Sequence, residues 1–153
     1  MATSLADATA APSTVTLNGK EYRISPLRDK DFGEFERWVQ DRHIEVAKRN
    51  IGGLEAEDRQ ALLIHAYDQA TKVTIQSSIA MRYMKTIEGG AKVTEIMLRR
   101  EHPEVTYEQV LEWLTDPDNF NAVMGSVDSL NYTPEKNEPT AEPIVKAKER
   151  PAQ

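Results

Sequence analysis

The residues best suited to chemistry are three histidines, His43, His65 and His102. A helical metal site needs ligands about one turn apart on one face; no two of these have that spacing, and no HExxH occurs. His65 falls within an apolar helical run and is expected to be partly buried. Each histidine reads as a packed or surface residue rather than a ligand. Cysteine is absent, which excludes disulfides, thiolate zinc sites and cysteine nucleophiles, and fits a reducing cytoplasm. Asp29, Asp31, Glu34 and Glu36 crowd the start of a helix, where the macrodipole favours negative charge. Nothing in their spacing marks two of them as a catalytic pair. Asp116-Pro117-Asp118-Asn119 lacks the glycine and final glutamate of a calcium loop and reads as an Asx-type turn.

The remaining candidates are equally bland. The doublets Gly52-Gly53 and Gly89-Gly90 form neither a P-loop nor a GxGxxG, and they read as helix stops. Ser77-Ser78 has no nucleophile-elbow context. Arg99-Arg100 ends a predicted helix and complements its dipole, so a solvated basic face is favoured over a phosphate site. Met81, Met84, Met97 and Met124 suit core filling, with an adaptable binding groove as the alternative. No catalytic residue, metal ligand or cofactor loop emerges, and the expectation is a protein that binds rather than catalyses.

The bulk properties agree. The 153 residues fit one domain large enough for a core. The net charge of −6 argues against a nucleic-acid partner. No apolar run approaches the ~20 residues that span a bilayer. Met1 to Ser13 contains no Lys or Arg and no apolar stretch, unlike a signal peptide. A soluble, cytoplasmic protein is expected, without a membrane partner.

The elements that must position any binding surface follow from periodicity. Residues 1–13 read as a disordered leader. Residues 14–24 alternate apolar and polar around Asn18-Gly19, which predicts a hairpin with a type I′ turn. Ser25-Pro26-Leu27 breaks the strand, and Asp29 is a plausible N-cap for a helix over about 30–49 carrying Phe32, Phe35, Val39 and Val46. A second helix starts near Ala56 and presents Leu62, Leu63, Ala66, Tyr67, Ala70 and Val73. Its β-branched Val73, Thr74 and Ile75 foretell a break near 75–78. A helical pattern resumes at Ile79 and is expected to stop at Gly89-Gly90, and another covers about 92–100. Thr106 and Gln109 have capping-box spacing, and a last short helix holds Phe120, Val123 and Val127. From Tyr132 the composition turns to proline and charge, which predicts a disordered tail over 132–153. The fold class is therefore mainly α: an N-terminal β-hairpin, a compact bundle of about five helices over 14–131 as a single domain, and disordered termini.

As a whole, "VTLNGKEYRI", then "SPL", an acidic-start helix with Phe and Trp, and later "RREHPEVTYEQVLEWL" resemble the tail assembly chaperones of long-tailed bacteriophages. Members of that family often open with "V-x-L-G-G-K-x-Y-x-L-x-P-L" and carry a "P-x-h-T-x-E-E-V" turn into a helix. Here Asn18-Gly19 stands where Gly-Gly is common, with equivalent turn chemistry. The resemblance spans residues 14–131. It implies a chaperone, working in the cytoplasm of an infected host cell, that coats the tape-measure protein while tail-tube subunits polymerise around it. The alternative is a structural virion component, such as an adaptor or minor tail protein, or another small interaction module. Partners would be proteins, with a homo-oligomer left open and no cofactor implied. Trp38, Met84 and Trp113 are the candidate partner-binding residues on the helix faces, each with a place in the core as its alternative.

Overall fold

The hairpin forms as its sequence dictates. β1 (Ser13–Leu17) and β2 (Lys20–Ile24) pair antiparallel with Leu17 opposite Lys20. Asn18 at φ 51° and Gly19 at φ 74° supply the two left-handed residues of a type I′ turn. Val15, Leu17, Tyr22 and Ile24 are buried on one face, whereas Thr14, Thr16, Glu21 and Arg23 face solvent. The outer edge of β2 and the residue after it are met by a helical carbonyl and by a loop histidine. The Ser25 N–H donates to the Met97 carbonyl at 3.0 Å, and the Arg23 N–H donates to His102 Nε2 at 3.1 Å. A two-stranded ribbon is marginal in water, and this docking is what secures it.

The computed structural model describes residues 12–131. The leader and tail expectations fall outside them, except that Ser13, placed in the leader, begins β1. Within these residues the chain is mainly helical, with six helices after the hairpin. Arg28 rather than Asp29 occupies the N-cap position of α1 (Asp29–Asn50), and the Asp31 carboxylate accepts its N–H at 2.8 Å. Across about 33 Å of helix, only Asp31, Phe35 and Val39 are buried, all in its first half. α2 (Ala56–Thr71) packs mainly against α1 and buries only Ala66 and Ala70, both in its second half. No residue from Gln40 to His65 is buried, so the far half of this helical pair runs past the core.

α3 (Ser78–Met84) follows the break expected near 75–78. Ser77 caps it by accepting the Ala80 N–H. The next boundary corrects the sequence reading. Gly89-Gly90 does not stop a helix; both glycines lie in the first turn of α4 (Ile87–Leu98), and the break falls at Lys85-Thr86. Thr86 Oγ1 caps α4 by accepting the Gly89 N–H at 3.0 Å. A Cβ on Gly89 would collide with the Tyr83 carbonyl, and one on Gly90 would come within 3.2 Å of Met124 and Phe120. The doublet therefore serves close packing rather than termination.

α5 (Tyr107–Trp113) begins with the expected capping box. The Gln109 N–H donates to Thr106 Oγ1, and the Thr106 N–H to Gln109 Oε1. α6 (Pro117–Asn131) starts earlier than expected, with Pro117 at its first position, where a missing N–H costs nothing. Asp116 Oδ1 accepts the Asp118 N–H at 2.9 Å, the Asx-type turn anticipated there. Residues Val93, Ile96, Met97 and Leu98 run α4 through the centre of the core. The hairpin, α1, α5 and α6 close around it, with Phe35, Val39, Val110 and Leu114 contributing. No described helix is long and apolar enough to cross a membrane.

Candidate protein-binding surface

The apolar face expected on α2 is divided. Ala66, Ala70 and Val73 are buried and Leu63 is half-buried. Leu62 and Tyr67 stay 38% and 48% exposed, and Ile64, off the expected face, is 62% exposed. The cause is local. Small Ala66 and Ala70 fill the seam against α1, so the bulky residues flank it. The His43 Nε2–Gln69 Oε1 contact at 3.0 Å fixes the same pairing. Gln60, Ile64, Tyr67 and Thr71 then share one exposed stripe at i, i+4, i+7 and i+11 spacing, roughly 100° around the helix from that seam. Arg59 reaches back to the Leu54 carbonyl at the tip of the pair, where Leu54 is 36% exposed. A helix with two large apolar residues on one exposed stripe has surface suited to a partner helix.

The three residues singled out from sequence take other positions. Trp38 is half-buried, stacked on Phe35 at 5.8 Å and edge-on to Tyr83 at 6.1 Å, with Tyr107 at 6.5 Å. Met84, next to Tyr83 in α3, is also half-buried. Trp113, at the other end of α5 from Tyr107, lies 5.2 Å from Tyr22 of the hairpin. All three pack against the core while keeping part of their surface in water. Burial holds the Tyr83 and Tyr107 phenols above their ordinary pKa. The structure thus places Trp38 in an aromatic wall and leaves Trp113 apart. Sequence reasoning passed over Ile64 and Ile87, exposed by 62% and 43%, and Met81, read as core filler with a binding groove as its alternative, is 45% exposed. For Ile64 a signal existed: an isoleucine standing off the apolar stripe of its own helix. His65, expected to be partly buried, is exposed, because the half of α2 that carries it lies beyond the core.

A charged network joins α1 to α4. Glu34 Oε1 accepts from Lys92 at 3.1 Å and from Arg99 Nη2 at 2.8 Å, and its Oε2 accepts from Arg99 Nη1 at 3.0 Å. Glu95 accepts from the same two cations. The Arg99 guanidinium beside Glu34 holds its carboxyl at about 2, with Lys92 adding to the effect and burial opposing it. Arg99 is in turn held more firmly protonated, first by Glu34. Arg100 bridges Asp31 at 2.5 Å and donates to the Pro26 carbonyl. The network borders a cleft of about 260 Å³. Among the described residues no three His, Cys, Asp or Glu side chains gather as a metal-binding group.

Comparison with known proteins finds no matching family model, no matching curated protein and no matching solved structure.

Proposed function

We propose that this chain is a non-enzymatic assembly chaperone of the phage-tail type, holding a long helical tape-measure protein soluble in the host cytoplasm until tail-tube subunits enclose it. One observation supports the binding role most directly: the paired helices α1 and α2 extend past the core and carry Leu62, Ile64 and Tyr67 on the outside. A chaperone of this kind needs weak, repeated contacts with an apolar helical rod. Two or three partly exposed side chains on a helix supply such contacts without a permanent interface. The specific partner rests on the resemblance of residues 14–131 to tail assembly chaperones.

Co-expression tests it. The tape-measure protein of the same genome is produced with and without this chain, and its soluble fraction is measured. Solubility that requires the chain, and that falls with Ile64→Asp plus Tyr67→Asp, is the expected result. Equal solubility in both cultures overturns the chaperone role, and full activity of the double variant overturns its assignment to α2.

A further inference from the structure

The cleft between α1 and α4 contains two cations that have no ion-pair partner among the described residues. Lys30, Glu34 and Arg37 stand at i, i+4 and i+7, on one side of α1. Glu34 is the natural helical partner of both cations. Its two oxygens are instead taken by Arg99 and Lys92, 65 and 58 residues away. Among the described residues, no carboxylate comes within ion-pair distance of Lys30 or Arg37, and both are exposed at the cleft. Lys30 also sits in the first turn of α1, where the helix dipole opposes positive charge. Helix stability therefore gives no reason for it.

The other walls are fixed in place. Arg99 and Arg100 are clamped by Glu34, Glu95, Asp31 and the Pro26 carbonyl. Ile96 supplies an apolar patch. Counting Lys92 and Glu95 with the lining residues, five cations meet three carboxylates, an excess of two positive charges on a chain whose net charge is −6. The cleft, at about 260 Å³, is below the usual size of a cofactor pocket and matches one or two acidic side chains.

We propose that this cleft binds an acidic peptide segment, with Lys30 and Arg37 meeting its carboxylates. The site is separate from the α2 surface and does not depend on the tail-assembly reading. Rim cations of this kind confer selectivity and salt sensitivity more than raw affinity.

The probe is an acetylated, amidated hexaglutamate peptide, titrated into the full chain labelled with nitrogen-15, with inorganic phosphate as a parallel titrant. Saturable shifts confined to Lys30, Arg37, Arg99, Arg100 and their neighbours are expected, weakening as salt is added. Lys30→Gln plus Arg37→Gln is expected to weaken binding about tenfold with unfolding unchanged, since neither side chain has an ion-pair partner to lose among the described residues. Absence of saturable shifts, shifts spread over all basic residues, or unchanged affinity of the double variant overturns the site. Phosphate binding as tightly as the peptide overturns the assignment to a carboxylate segment.

Discussion

Asn119 reaches from the start of α6 to the hairpin turn and pairs with Asn18, 101 residues earlier. Its Oδ1 accepts the Asn18 N–H at 3.1 Å and its Nδ2 donates to Asn18 Oδ1 at 2.8 Å. The same Nδ2 donates to the Trp113 carbonyl at 2.9 Å. One buried amide thus ties the turn, α5 and α6 together. Asn119→Ala would strand these partners and is expected to cost about 1–3 kcal/mol. Denaturant unfolding checks it, and Asn119→Asp, which turns a carboxylate oxygen toward the Asn18 Oδ1 and the Trp113 carbonyl, should cost at least as much as the alanine variant.

The Glu34 network predicts an acid limb in stability. The Glu34 carboxyl is lowered from an ordinary 4.5 to about 2, first by Arg99. A lowered carboxyl contributes stability above its unfolded value and loses it as pH falls through the folded one. Between roughly pH 4.5 and 2 the protein should weaken, and Glu34→Gln should flatten part of that slope. Partial exposure of Glu34 and Arg99 keeps the effect modest, and added salt should shrink it further. Unfolding midpoints measured across that range supply the comparison.

Two glycines should respond in opposite directions. At Gly89 a Cβ meets the Tyr83 carbonyl, which is backbone and cannot swing aside, so Gly89→Ala is expected to destabilise by about 1–3 kcal/mol. At Gly33, inside α1, a Cβ meets nothing within 4 Å. Gly33→Ala should stabilise by up to about 1 kcal/mol through helix propensity. Thermal melts of the two single variants decide both.

The exposed stripe of α2 should be separable from the fold. Ile64→Asn with Tyr67→Asn removes apolar surface that no core residue needs, so stability should change by no more than about 0.5 kcal/mol. Binding of a hydrophobic dye should drop in the same variant. A large loss of stability would mean that the stripe is structural rather than free.

Much of the fold is legible locally. The hairpin follows from period-two alternation around Asn18-Gly19, whose φ angles are those the turn requires. Thr106 and Gln109 announce α5 because a capping box is satisfied within four residues. Phe35, Val39, Val93 and Ile96 are recognisable as core from helical spacing alone. These features depend on neighbours in the chain, so the chain displays them.

Tertiary structure decided what depends on distant neighbours. Gly89-Gly90 looks like a stop until packing against Tyr83, Phe120 and Met124 explains why a side chain is excluded there. The periodicity of α2 marks Tyr67 as apolar-facing, but the packing of small Ala66 and Ala70 against α1 determines that Tyr67 and Ile64 remain in water. Trp38 and Trp113 look alike as aromatic helix residues, yet one joins Tyr83 and the other Tyr22. Lys30 and Arg37 look paired with Glu34 from spacing, and only the approach of α4 draws that carboxylate away. Helical period determines which residues share a face; what that face meets is determined by how the helices pack.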